Sequence, residues 1–210
     1  MSKVTAEITM SLDGFVAGPN DSVENGLGDR GELLHEWVTR LRSWREAHGY
    51  EGGETGPEDE RFAAAVEAPG AIVMGRRMFD HGEAPWGEEP PFRKPVFVLT
   101  HRPRDPLVKE GGTTFTFVTE GIESAVAQAR EAGGDKDVAI AGGGQAIRAA
   151  IEAGLLDELE VHLVPILLGG GVPLFDFDAA TAERIELDPL HAIAAPGVTH
   201  LRWRVGVRDA

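Results

Sequence analysis

Apolar and polar residues alternate from Lys3 to Met10, with Val4, Ala6, Ile8 and Met10 set against Thr5, Glu7 and Thr9. A period of two predicts a strand with one buried side. Asp13-Gly14 then turns the chain, and Phe15-Val16-Ala17 returns it to apolar surroundings. Gly18 to Gly31, rich in Gly, Asn and Asp, reads as a loop. Between Glu32 and Ala47 the period changes: Leu33, Leu34, Trp37, Val38, Leu41 and Trp44 form one helical stripe. Gly49 to Gly56 has four glycines and no aliphatic anchor, which predicts a mobile loop. A short helix with proline in its first turn is expected from Pro57 to Glu67.

Downstream, strand and helix signals alternate. Strands are predicted over Ala71–Met74, Val96–Leu99, Phe115–Val118 and Val138–Ala141, with a proline-rich loop over Pro85–Pro95. A helix from Ile122 to Ala132 stops at Gly133-Gly134. A second helix places Ala146, Ile147, Ala150 and Ile151 on one face and stops at Gly154. Leu159–Ile166 predicts another strand, and two last strands are expected over Glu183–Leu187 and Thr199–Val205. Strand–helix alternation followed by consecutive strands implies an α/β domain with a mixed, mostly parallel sheet and an antiparallel end. No repeat or long linker divides the chain, so residues 1–210 are read as one domain.

Composition narrows the classes. The formal net charge of −15 argues against nucleic acid as a partner, because backbone contact needs a positive surface. No apolar run approaches the roughly 20 residues of a membrane span, and Met1–Met10 lacks a basic leader and an apolar signal core. A cytoplasmic location is the expectation. The absence of cysteine excludes disulfides, cysteine nucleophiles and thiolate metal sites. His35 and His48 share no ligand spacing, so no metal is expected.

Three strand ends carry candidate chemistry. Val138–Ala141 runs through Gly142-Gly143-Gly144-Gln145 into a helix. Such a junction presents free backbone N–H groups and a positive dipole end, and glycine lets a pyrophosphate come close. It is either an anion cradle or a structural tight turn, and it is not the Rossmann fingerprint. At Gly75-Arg76-Arg77 a strand meets a helix start with two guanidinium groups, suited to phosphate or to pairing with Asp80 or Glu83. Leu99-Thr100-His101-Arg102-Pro103-Arg104 ends a third strand with a hydroxyl, an imidazole and two arginines. Ligands of open α/β sheets gather at carboxyl ends of strands, so three such ends together favour a dinucleotide.

In this order the units resemble the dihydrofolate reductase superfamily, and within it the reductase domain of the riboflavin-biosynthesis deaminase/reductase, nearly end to end. Ser11–Ala17 resembles the opening strand and nicotinamide loop, Met74–Met78 the Met-Gly-Arg motif, Leu99–Arg102 the segment at the adenosine 2′-phosphate, and Ala141–Gln145 the glycine motif under the pyrophosphate. Leu156–Leu159 and Val164–Phe175 resemble the riboflavin branch more than folate reductases. The resemblance implies a three-layer dihydrofolate-reductase-like fold, a cis peptide at Gly142-Gly143, and NADPH as cofactor. Val16, Ala17, Gly75, Arg76, Arg77, Leu99, Thr100, His101, Arg102, Gly142, Gly143, Gly144 and Gln145 would hold it. It implies hydride transfer to a planar heterocycle, most like 5-amino-6-(5-phosphoribosylamino)uracil, with a pterin or a non-catalytic NADPH sensor as alternatives. It also implies a homodimer, with Leu159–Leu168 and the terminal strands as a candidate edge.

The departure lies on the substrate side. Folate reductases carry a carboxylate on the helix after the nicotinamide loop, and no acid aligns with it in Gly31–Trp37. Glu32 and Glu36 are candidates that also read as a solvated helix face. Asp13 is a candidate that also reads as a turn residue capping its own backbone. Trp37 and Trp44 read as core. A ribose phosphate would need basic residues, and Lys3, Arg40, Arg42 and Arg45 are available.

Overall fold

The structure, a computed structural model, describes residues 2–208. The chain opens with strands β1 (Val4–Ser11) and β2 (Phe15–Ala17), a single 3-10 turn (Gly31–Leu34), and helices α1 (Glu36–Thr39), α2 (Arg42–Ala47) and α3 (Pro57–Glu67). Then come β3 (Ala71–Gly75), α4 (Arg76–Trp86), β4 (Pro95–Leu99), β5 (Leu107–Val108), β6 (Thr114–Val118) and α5 (Ile122–Gly133). The last part holds β7 (Val138–Gly142), α6 (Gly144–Glu152), β8 (Glu158–Val164), β9 (Val172–Pro173), α7 (Ala179–Arg184), β10 (Ile185–Ala195) and β11 (Val198–Val207).

The main sheet has the order β10-β11-β8-β1-β7-β3-β4-β6-β5, and β2 pairs with β9 in a separate ribbon. From β8 to β6 every pairing is parallel, while β11, β10 and the short β5 run antiparallel to their neighbours. Strand alternation splits the core into two layers. Val4, Ala6, Val73 and Ile140 pack on Ala125 and Ala129 of α5 and Ile147 and Ile151 of α6. On the opposite face Ile72, Met74, Val96 and Val98 pack on Phe79 of α4, and Trp37, Val38 and Leu41 pack on Val164 and Val198. Helices therefore cover both faces of a mixed, mostly parallel sheet with an antiparallel C-terminal end.

Four expectations change. The stripe from Glu32 to Ala47 is broken into three pieces, at His35 and at Leu41, whose backbone is extended (φ −70°, ψ 141°). There the chain bridges the following loop: Arg42 N donates to Glu54 O at 2.8 Å, and Glu54 N donates to Arg40 O at 2.8 Å. The Gly49–Gly56 loop is thus tied down at Glu54, and Gly53 (φ +127°) passes so close to Arg42 that a Cβ would lie 2.7 Å from its backbone.

The strand expected over Glu183–Leu187 begins only at Ile185, because Asp178 caps α7 by accepting from Thr181 N at 2.7 Å and keeps residues up to Arg184 helical. Finally, β8 is no edge: β1 and β11 flank it on both sides. The edge on this side is β10, where Asp188, Pro189 and a register shift between Pro189 and His191 interrupt a regular ladder, devices that discourage edge pairing.

Candidate active site

Strands β3, β4 and β7 are adjacent and parallel, so their carboxyl ends meet along one rim. At the end of β7 the Gly142-Gly143 peptide is cis, and α6 starts at once, with Ala146 N donating to Gly143 O at 3.0 Å. The amides of Gly144 and Gln145, which come before Ala146, have no carbonyl partner within the helix. A Cβ at Gly143 would meet nothing within 4 Å, so this position faces open space. A Cβ on Gly75 would lie 3.5 Å from Gly143 N, which shows how closely the β3 and β7 ends approach. The β2–β9 ribbon closes the far side, where Arg148 Nη1 donates to Pro173 O at 2.6 Å.

These ends border a cleft of about 1090 Å³. Val16, Ala17, Gly75, Arg76, Arg77, Leu99, Thr100, His101, Arg102, Gly142, Gly143, Gly144 and Gln145, every residue singled out for the dinucleotide, line it. The strand tips converge. The arginines are already engaged: Arg76 Nε donates to Asp80 Oδ1 at 2.6 Å and Arg102 Nη2 to Asp80 Oδ2 at 2.7 Å, while Arg77 pairs with Asp21 at 3.1 Å. Asp80, one turn along α4 from Arg76, thus holds two guanidinium groups side by side. Pairing with Asp80 is the observed role, and each guanidinium keeps further N–H groups that an anion could use.

Asp13 and Glu36 are not among the cleft's lining residues. Asp13 accepts from Ser11 Oγ at 2.6 Å, Gly169 N at 2.7 Å and Leu168 N at 3.1 Å, pinning the β1–β2 turn to the loop after β8. The Ser11 hydroxyl first, and then those amides, lower its pKa to about 2. Its hydrogen-bonding capacity goes into structure. Glu36 is exposed on α1, whereas Glu32 lies at the mouth of the cleft.

A second cavity, of about 930 Å³, adjoins the cleft. Ile8, Thr9, His35, Trp44, His48, Met78, Trp86 and Ala141 line both. One wall is apolar, with Ile72, Met78, Trp86 and Phe92. The opposite wall is the polar face of β1, β8 and β11, where register sets two rows: Glu7, Glu160 and Arg202, then Thr9, His162 and His200. Arg202 binds Glu160 at 3.0 Å and Glu158 at 2.7 and 2.9 Å. His162 and His200 approach at 2.8 Å between their Nδ1 atoms, and Glu58 of α3 lies 2.6 Å from His200 Nε2. Trp37 covers His162 at 4.9 Å between ring centroids and turns its Nε1–H to Thr9 Oγ1 at 3.4 Å. Burial is the main influence lowering the pKa of His35 and of His200.

Trp37 is core as expected, but Trp44 is half-buried, stacks on His48 at 3.9 Å, and borders both cavities. Among the basic residues considered for a ribose phosphate, Lys3, Arg40 and Arg42 pair with carboxylates and Arg45 donates to Glu51 O; none lines the second cavity. Glu7, Glu160, His162 and His200 escape sequence reasoning. The available signal was alternation, since Glu158, Glu160 and His162 interleave with Leu159, Val161 and Leu163, as Glu7 and Thr9 do with Ile8.

The chain matches the RibD C-terminal domain family over residues 2–197. It belongs to that family. The uncharacterised Bacillus subtilis (strain 168) protein YwjB is 24% identical over 173 residues, covering 82% of each chain. Of solved structures, one described as a riboflavin biosynthesis protein from Shewanella sp. PV-4 is 24% identical with a TM-score of 0.69, covering 97% of this chain and 98% of that one. Enterococcus faecalis dihydrofolate reductase, solved with NADP(H) and RAB-propyl, is 15% identical with a TM-score of 0.53, covering 99% and 97%. The RibD C-terminal fold seen here is therefore the dihydrofolate-reductase-like fold. Among the described residues no helix is long and apolar enough to cross a membrane.

Proposed function

We propose that this protein is an NADPH-dependent reductase that transfers hydride to a small planar heterocycle. The observation that carries the reading is the convergence of the β3, β4 and β7 ends on one cleft, with a glycine-lined, Cβ-free gap at the start of α6. That gap fits a pyrophosphate: the first amides of α6 and its positive dipole end suit an anion, and Gly143 leaves the approach clear. Arg76 and Arg102, with His101, would meet the 2′-phosphate, and Val16 and Ala17 the nicotinamide. The bound cofactor would supply the hydride. The chain's own part is to hold it, orient the acceptor at the junction of the two cavities, and exclude water.

The acceptor we favour carries no phosphate. Arg202 and Arg61, the arginines of the second cavity, face Glu158 and Glu160 or Glu58 and Glu160, and Lys94 Nζ donates to Val66 O and Pro69 O. This supports a pterin-like or simple pyrimidine acceptor over the phosphoribosyl substrate of riboflavin synthesis. The family setting supports a cytoplasmic enzyme, and β8, flanked on both sides, is closed to strand pairing in a homodimer. Calorimetric titration with NADPH, followed by substrate-dependent loss of NADPH absorbance across pterins, pyrimidines and their phosphoribosides, tests the reading. No NADPH binding would sink it, and binding without turnover of any acceptor would leave only a sensor.

A further inference from the structure

The second cavity's polar wall holds a cluster that the reductase reading does not use. We propose that His162, His200 and Glu160 form a binding site for a divalent transition metal of the zinc class. One donor atom from each lies within 4.8 Å of the other two, and all three residues are buried. The histidines are 38 residues apart in sequence and are brought together only by the β8–β11 register.

Two independent features point to a cation. First, each imidazole turns its Nε2 toward a carboxylate: His200 toward Glu58 at 2.6 Å and His162 toward Glu7 at 3.7 Å. For His200 the close carboxylate favours the Nε2–H tautomer and leaves a lone pair on Nδ1, as second-shell carboxylates do for metal-bound histidine. The two Nδ1 atoms face one another at 2.8 Å, a spacing at which His200 can accept a proton from His162 Nδ1 or both can turn lone pairs to a cation. Second, Oε1 of Glu160, a side chain only 4% exposed, has no hydrogen-bond donor among the described residues. His191 Nε2 at 3.5 Å and Arg61 Nη1 at 3.9 Å approach it without bonding.

A single proton could bridge the nitrogens, but it would leave this third donor unsatisfied. In formal charge, Glu7, Glu58, Glu158 and Glu160 outnumber Lys3, Arg61 and Arg202, so the surroundings favour a cation over an anion. Two nitrogens on tetrahedral zinc stand about 3.4 Å apart at bond lengths of about 2.1 Å, so the rings need part by only about half an ångström. Three protein donors leave a fourth position for water or another ligand, and Glu160 and His162 also line the cavity.

The test uses the untagged full chain, stripped with chelator and titrated with Zn²⁺ and Co²⁺, with metal content measured after desalting. The expectation is one equivalent per chain and the visible bands of tetrahedral Co²⁺. His162→Gln and Glu160→Gln should each lower Zn²⁺ affinity at least about 100-fold, and Glu58→Gln, which changes only the outer carboxylate, about 10- to 100-fold. Less than one equivalent in the wild type, meaning the pair holds a proton only, overturns the proposal. Unchanged affinity in Glu58→Gln together with His162→Gln does so as well, and if the latter fails to fold, unchanged affinity in Glu58→Gln suffices. The NADPH-induced thermal shift, read on the same samples, reports the reductase reading separately, since that site shares none of these donors.

Discussion

Replacing Gly143 with Ala isolates the cofactor reading from the fold. At this position φ is −76° and ψ is −174°, a region open to any residue, and the new Cβ would meet nothing within 4 Å. The apo protein should therefore be as stable as the parent or slightly more so, by about 0.4–1 kcal/mol, through the lost freedom of glycine in the unfolded chain. The methyl group instead occupies the space through which a pyrophosphate would approach the first amides of α6. Forcing one extra carbon into a close contact costs about 1–3 kcal/mol. At about 2 kcal/mol, Kd rises about 30-fold.

Thermal unfolding with and without NADPH reads that loss directly. At about 100 times the parental Kd, the parent gains about 2.7 kcal/mol and the variant only about 0.9 kcal/mol. For a domain of this size each kcal/mol moves Tm by about 2–4 °C. The NADPH-induced shift should thus fall from about 5–11 °C to about 2–4 °C, with apo Tm unchanged or raised. A folded Gly143→Ala protein that keeps the full parental shift would refute the cradle, and with it the placement of any dinucleotide against α6.

Four further outcomes are expected. Replacing both Arg76 and Arg102 with Ala should weaken NADPH binding at least about 10-fold more than NADH binding; equal losses in paired titrations would remove them from the 2′-phosphate. Asp80→Asn, which removes the carboxylate both arginines share, should instead tighten NADPH relative to NADH in the same titration. Asp13 has a folded pKa lowered to about 2 from 3.8, so its contribution is present above pH 3.8 and lost as pH falls toward 2; the Tm difference between the wild type and Asp13→Asn should shrink across that window, and a constant difference would contradict the assignment. Phe79, fully buried and edge-on to Phe115 and Phe117 at 5.1 and 5.0 Å, should cost about 3–5 kcal/mol when cut to Ala, measured by urea unfolding.

The cleft was legible in the sequence for a local reason. A strand that ends in Gly142-Gly143-Gly144 before a helix, or in Gly75-Arg76, reveals its geometry within a few residues. Parallel pairing of β3, β4 and β7 then brings such ends to one rim. What stayed hidden was set by distant pairing. The stripe through Leu41 keeps helical spacing, and only the bridge to Glu54 breaks it. Alternation along β1 could not tell solvent from a covered polar wall, so Glu7 and Thr9 read as an outer face. Nothing near His162 points to His200, whose partnership depends on β11 returning beside β8, and the same strand order buries the segment expected as an edge.

The substrate side follows from how its charges are spent. On the proposed reading, an acceptor at the junction would meet Met78 and Trp86 on one wall and Thr9 on the other, which favours a flat molecule, largely apolar and polar along one edge. A phosphate on it that is held by Arg202 would draw that guanidinium from Glu158 and Glu160. Stripping a partner from buried carboxylates costs about 3–5 kcal/mol, which is at least about 100-fold in affinity. The phosphoryl contact would first have to recover that loss. Competition by a pyrimidine and by its phosphoriboside, compared at fixed NADPH, therefore reads the state of Arg202. A phosphoriboside that binds more tightly than its base would mean this ion pair opens, and the acceptor class would move to the phosphorylated pyrimidines.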